Sequence, residues 1–132
     1  MPHLKKKRNG KIVFVSSPAG FRGLPNAGIY GVTKSAITFL AESLYIEMLK
    51  FNIKVQVVHP GFVKTPMTDK NDFSMPFLMT SADAAKRIYK KLSTNEFEIY
   101  FPKRLIWAMK LLQILPYKIY FFVIKKISKF AS

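Results

Sequence analysis

Short apolar runs alternate with longer amphipathic stretches along the chain. Ile12-Val13-Phe14-Val15 lies within an apolar segment over 11 to 16, the pattern of a strand in a parallel sheet covered on both faces. Residues 53 to 58, Ile-Lys-Val-Gln-Val-Val, give a second strand, and residues 97 to 101 a third, closed by Pro102. Between the first two strands, residues 28 to 51 read as a helix. Ile29, Val32, Ala36, Leu40 and Leu44 recur at three- and four-residue steps as its main apolar face, and Phe39, Ile46 and Leu49 extend that surface to a second side. Such a helix is buried or shared with a partner. Thr80-Ser81-Ala82-Asp83 forms a capping box that opens a helix over 81 to 93, with Ala85, Ile88, Tyr89 and Leu92 as its inward stripe. Strand, helix, strand in this order implies a right-handed parallel crossover.

The connections are informative too. Residues 1 to 10 read as the end of a helix and a turn at Asn9-Gly10. The loop from Ser17 to Ala27 carries Pro18, Gly20, Gly23 and Pro25 and is long enough to wall a site. His59-Pro60-Gly61 ends the second strand at its carboxyl end, where open parallel sheets bind ligands. Met67, Met75, Phe77, Leu78 and Met79 make residues 67 to 79 an adaptable apolar flap. Residues 103 to 130 form two helical segments split at Pro116. In the second, Lys118, Lys125, Lys126 and Lys129 share one face, opposite Ile119, Tyr120, Val123, Ile124, Ile127 and Phe130, with Phe122 among the lysines.

Charge changes the picture mainly at the two ends. The formal charge is +15, with Lys5, Lys6, Lys7, Arg8 and Lys11 at the start and no acid after Glu98. This asymmetry points to an anionic partner. Trp107, Tyr117 and Tyr120 suit a lipid–water boundary, so the tail is expected to lie in a membrane interface, the other reading being a substrate-covering or subunit-bridging cap that buries the same apolar face in protein. Lys110, Gln113, Pro116 and Lys118 interrupt it too often for a spanning helix. Nucleic-acid binding through Lys5 to Arg8 lacks an accompanying recognition motif. There is no cysteine, and His3 and His59 stand far apart, so no thiol chemistry and no metal site is expected. No secretory signal pattern is present, and the expected location is the cytoplasm, with a peripheral seat at a membrane as a further expectation.

The candidate chemistry lies at Ser17, Tyr30 and Lys34. Tyr30 and Lys34 are four residues apart and stack on one helical face. A nearby ammonium favours the ionised form of a phenol, and Ser17 at the mouth of the first strand would add a hydroxyl. The trio suits proton transfer at a carbonyl or alcohol oxygen. Four pieces in order, Gly10-Lys11-Ile12-Val13-Phe14-Val15-Ser16-Ser17, the thirteen-residue step from Ser17 to Tyr30, Tyr30-Gly31-Val32-Thr33-Lys34, and His59-Pro60-Gly61-Phe62-Val63-Lys64-Thr65-Pro66, resemble the active-site half of the short-chain dehydrogenase/reductase family. The resemblance implies that Ser17 positions substrate oxygen, Tyr30 is the acid/base, and Lys34 lowers the tyrosine's pKa and binds the nicotinamide ribose. It also implies that Pro60 and Gly61 shape a nicotinamide pocket and that Thr65 contacts the amide. The 67–79 segment would close over substrate, and helix 28–51 would pack against its copy in a homo-oligomer.

No Gly-x-x-x-Gly-x-Gly or Gly-x-Gly-x-x-Gly pattern follows a strand, so the turn that would receive a pyrophosphate is missing from these residues. By position the chain starts where the second half of such an enzyme would, as the product of a truncated gene would, and the 11–16 strand is left with an unpaired edge. The expected fold is α/β, a partial Rossmann-like three-layer arrangement of about three parallel strands with a basic amphipathic helical pair at the carboxyl end. Residues 1–102 form the dehydrogenase half and 103–132 the tail. The expected function is NAD- or NADP-dependent hydride transfer to or from a carbonyl or alcohol, with little turnover by these residues alone and a lipid-like substrate favoured by the tail. The alternative is a non-catalytic membrane-surface module built on the same scaffold.

Overall fold

The computed structural model describes residues 1–71 and 73–128. Its elements follow the order helix α1 (Pro2–Lys7), strand β1 (Gly10–Val15), helix α2 (Gly28–Leu49), strand β2 (Ile53–Pro60), helix α3 (Ser81–Leu92), strand β3 (Glu98–Phe101), and helices α4 (Lys103–Ile114) and α5 (Tyr117–Ser128). The three strands form one parallel sheet in the order β1-β2-β3. Val15 pairs with Val58 and Pro60 with Phe101, so the carboxyl ends of the strands share one edge of the sheet.

Alternation along β2 divides the core. Ile53, Val55 and Val57 pack with Ala41 and Met48 of α2, while Val58 packs with Ala84 of α3 and with Ile99 and Phe101. Helices α2 and α3 therefore cover opposite faces. The chain steps across the sheet in a single direction, so its two crossovers have opposite hands. With the first right-handed by the general rule, the second, which includes the excursion over 61–80, is the left-handed one. Helix α4 returns to the α2 face, over Glu98 and Tyr100, with Ile106 fully buried.

Two expected faces turn out otherwise. On α2 the buried residues are Gly31, Ala41 and Met48, with Leu44 and Tyr45 beside them, whereas Ile29, Val32 and Phe39 are 86, 70 and 74% exposed. Ala41 lets the helix approach the sheet and Gly31 lets it approach the loop after β1, and the most apolar stripe is left on the outside. On α3 the inward residues are Ala84, Ile88 and Leu92; Ala85 and Tyr89 face solvent. The helix begins one residue after Thr80, whose hydroxyl accepts from Asp83 N–H and donates to the Asp83 carboxylate. That cap fixes the phase of the helix.

Strand β1 also departs from expectation. Ile12 and Phe14 pack on the α2 side, but Val13 and Val15 on the other side are exposed, because α3 lies over β2 and β3. Its far edge has no partner strand among the described residues. The turn after α1 begins at Arg8, in the left-handed region at φ 50°. Arg8 donates to Lys50 O and Asn52 donates to Arg8 O, which clasps α1 to the α2–β2 turn.

The tail forms two helices, as its pattern predicts, but α5 does not turn its whole apolar face outward. Tyr120 is buried and Val123 and Ile124 are half-buried, while Ile119 and Ile127 are exposed. Lys129 and Phe130 lie outside the described residues. No described helix is long and apolar enough to cross a membrane.

Candidate active site

Ser17 stands two residues after the end of β1 and caps a 3-10 turn over Pro18–Gly20, accepting from Ala19 N–H at 3.3 Å. Two glycines seat that turn against α2. A Cβ on Gly20 would lie 2.7 Å from Lys34 C and Ser35 N, and one on Gly31 would lie 2.8 Å from Ala19 O. No side chain fits at either position, so the serine turn and the first turns of α2 are held in backbone contact.

Tyr30 and Lys34 stack as the spacing predicts. The Lys34 ammonium lies 5.6 Å from the centroid of the Tyr30 ring and donates to Val15 O at 3.1 Å. It thus spans from the tyrosine to the strand end that carries Ser17. The Tyr30 hydroxyl makes no hydrogen bond among the described residues, and the residue is 42% exposed. Ser17 and Tyr30 are on adjacent elements at one edge without a direct hydrogen bond between them.

Pro60 and Gly61 stand at the same edge. Gly61 N–H donates to Phe101 O at 2.7 Å, and a Cβ there would lie 2.7 Å from Pro102 Cδ and 3.1 Å from Leu105 Cδ2. The glycine is thus required by the approach of the β3–α4 connection. Thr65 lies in a tight turn: its N–H donates to Thr68 Oγ1 at 2.8 Å, while its own hydroxyl stands 3.3 Å from Thr68 Oγ1.

Beneath this edge runs a polar line that sequence reasoning missed. Ser16, 2% exposed, donates to Lys34 O at 2.8 Å and stands 2.8 Å from Thr38 Oγ1. Thr38 meets His59 Nε2 at 3.1 Å, His59 Nδ1 meets Glu98 Oε1 at 2.9 Å, and Lys110 of α4 donates to the other Glu98 oxygen. Burial raises the Glu98 pKa, but hydrogen bonds from His59 and Lys110 and the lysine's charge outweigh it and hold the carboxyl below its ordinary 4.5. A cleft of about 370 Å³ opens over this line between α2 and α4, lined by Phe21, Thr38, Phe39, His59, Glu98 and Lys110 among others. It includes none of Ser17, Tyr30 and Lys34, which stand on the open edge instead. No spacing rule links partners this far apart in sequence; the one visible signal was His59 at the end of a buried strand.

A second long-range contact ties the serine loop to the tail. Arg22 donates to the carbonyls of Leu112, Gln113 and Leu115 at 2.9, 2.8 and 2.6 Å, closing the carboxyl end of α4 where a cation is favoured. Its guanidinium lies 4.0 Å from the Tyr120 ring centroid and 4.9 Å from that of Tyr117. Tyr120 donates to Gly23 O, and its burial, against the opposing charge of Arg22, raises its pKa above 10.0.

Residues 1–75 match the profile of the short chain dehydrogenase family. The chain belongs to that family. It is 34% identical over 116 residues to an uncharacterized oxidoreductase of Myxococcus xanthus, covering 88% of this chain and 46% of that protein. It is 39% identical over 74 residues to a 3-ketodihydrosphingosine reductase of Bacteroides thetaiotaomicron, covering 56% of this chain and 28% of that one. Among solved structures it is similar to ElxO with NADP bound, at a TM-score of 0.61 and 30% identity, covering 75% of this chain and 48% of that one. The chain thus spans about half or less of the length of these relatives.

Proposed function

We propose that these residues form the active-site side of an NAD(P)-dependent oxidoreductase that moves a hydride between a nicotinamide and a carbonyl or alcohol. The observation that carries the reading is the Lys34 ammonium, stretched along the Tyr30 ring to Val15 O at the carboxyl end of a parallel sheet, beside Ser17. Tyr30 gives or takes the proton at the substrate oxygen, Ser17 orients that oxygen, and Lys34 keeps the phenol reactive.

The donor set suits a nicotinamide nucleoside. The Lys34 ammonium has three N–H groups and spends one on Val15 O, leaving two for ribose hydroxyls. Pro60 and Gly61 form the floor at the strand ends. The Thr65 hydroxyl, only loosely engaged with Thr68 at 3.3 Å, is available to the carboxamide. When bound, the nicotinamide supplies or accepts the hydride. NADP in the ElxO structure and the lipid ketone in the name of the Bacteroides relative support an NAD(P) cofactor and an apolar carbonyl substrate. The exposed stripe of Ile29, Val32 and Phe39 supports self-association through α2. The carboxyl-terminal helices add a second element to the proposal, a peripheral seat on a membrane, which their exposed aromatic and basic residues favour.

Nicotinamide mononucleotide tests the site without calling on a pyrophosphate turn, which these residues lack. Amide resonances of Lys34, Gly61 and Thr65 are expected to shift on titration, and Lys34→Met to abolish the response. NAD(P)H-dependent reduction of a ketone panel is expected to be slow and to fall by about 10²–10⁴-fold in Tyr30→Phe. A folded protein that leaves those resonances unmoved at saturating mononucleotide overturns the reading.

A further inference from the structure

We infer that α4 and α5 form a docking surface for an anionic lipid bilayer, and that its apolar face is the α4 stripe Trp107–Leu111–Ile114 rather than the apolar side of α5. The inference builds on the peripheral-membrane reading above and gives that reading a specific face.

The stripe follows helical spacing, and its residues are 61, 60 and 76% exposed. Ile106, one residue before Trp107 and about 100° around α4 from it, is fully buried, so packing fixes the rotation of the helix and leaves the apolar stripe outward. On α5 the side carrying Tyr120, Val123 and Ile124 is engaged in protein. The outward side mixes Lys118, Lys125 and Lys126 with Phe122, which is 68% exposed. Water alone gives a phenylalanine no reason to stand among lysines. A headgroup layer accommodates both, with the ring at the acyl boundary and the ammonium groups at the phosphates.

Charge selects the occupant. From Lys103 to Ser128 there is no Asp or Glu, and of the basic residues only Lys110 is engaged by a carboxylate. A second copy of a chain carrying +15 would bring like charge against this surface, whereas an anionic bilayer complements it. Each helix has 12 residues, a length of about 18 Å against about 30 Å of hydrocarbon, so the pair lies on the bilayer. Arg22 closes the joint between the helices and stacks on Tyr117 and Tyr120, so docking presents the surface as one body with the loop that follows Ser17.

Trp107 is the single tryptophan and therefore reports on the stripe directly. With vesicles of phosphatidylcholine and phosphatidylserine, its emission is expected to shift to the blue and to be quenched by acyl-chain bromine. Neither change is expected with phosphatidylcholine alone, and about 0.5 M salt reverses both by screening the charges. Leu111→Asp is expected to weaken co-sedimentation at least tenfold, and Lys125→Glu at least fivefold, about 1 kcal/mol per cation at the surface. Both sites are exposed, so unchanged circular dichroism and urea midpoints establish that the variants fold. Anionic vesicles that sediment the protein without moving Trp107 emission overturn the α4 stripe and leave the membrane reading standing. Absence of sedimentation at low salt overturns both. A blue shift that appears without lipid and grows with protein concentration assigns the stripe to a second copy and overturns the proposal. None of these readouts involves turnover, so none bears on the redox reading.

Discussion

Lys34 divides two polar regions of opposite character. Its side chain points toward the strand ends, where the Tyr30 hydroxyl has no hydrogen bond among the described residues and the residue is exposed. Its main-chain carbonyl points the other way, into the Ser16–Thr38–His59–Glu98–Lys110 line, whose members satisfy one another and where Ser16 and His59 are each 2% exposed. The difference separates what reacts from what holds. Groups with spare hydrogen-bonding capacity stand at the open edge, and the saturated line below fixes the helix that carries them. Substitutions should divide the same way. His59→Leu takes the ring partner from Thr38, which keeps Ser16 and Lys34 O, leaves one Glu98 oxygen without its partner and is expected to cost about 3 kcal/mol in urea unfolding. Tyr30→Phe removes a hydroxyl with no partner among the described residues, and its stability should stay within about 0.5 kcal/mol of the parent. A Tyr30→Phe chain destabilised as much as His59→Leu would make the tyrosine a packing residue and erase the contrast.

Arg22 gives a smaller and more local break. Arg22→Met keeps the stem but loses three carbonyl acceptors at the end of α4 and two stacked rings on α5. The expected cost is about 2 kcal/mol, and it should fall on the tail alone. Hydrogen exchange should quicken across Tyr117–Ser128 while the amides of β2 keep their protection. Uniform acceleration across sheet and tail would mean that the clamp belongs to the global core.

How much of this was legible beforehand follows from the range of each interaction. The strands, the extents of α2 and α3, and the Tyr30–Lys34 stack depend on residues a few positions apart, and periodicity recovers them. The orientation of α2 does not, because the side with the most apolar residues is not the side that packs. Gly31 and Ala41 are inside for their smallness, and Ile29 and Val32 are left outside. The one-sided cover of β1 depends on where α3 lands, which is a matter of topology. The hydrogen bonds of the His59 line and the Arg22 clamp join residues 12 to 93 positions apart, and no local rule pairs them. Ser17, Pro60, Gly61 and Thr65 are legible as positions in a motif, but their surroundings, such as Gly61 pressed against Pro102 and Leu105, follow from tertiary packing.

The finest test of the contrast is its dependence on pH. The Glu98 carboxyl is held below 4.5 in the folded chain: burial opposes the charged form, but the hydrogen bonds from His59 and Lys110 outweigh that opposition. A carboxyl bound more weakly by protons when folded than when unfolded stabilises the fold fully above its unfolded value and loses that contribution as pH falls through its folded one. Glu98→Gln removes this titration while keeping the shape of the side chain. The parent should therefore exceed Glu98→Gln in urea stability near neutral pH, and the gap should close as pH falls below about 4.5. Tyr30→Phe, measured alongside, should track the parent at every pH in that range, because the open edge contributes no carboxylate. A gap that widens on acidification would reverse the sign and mean that Glu98 is held in its protonated form, in which case Lys110 is not its partner in solution.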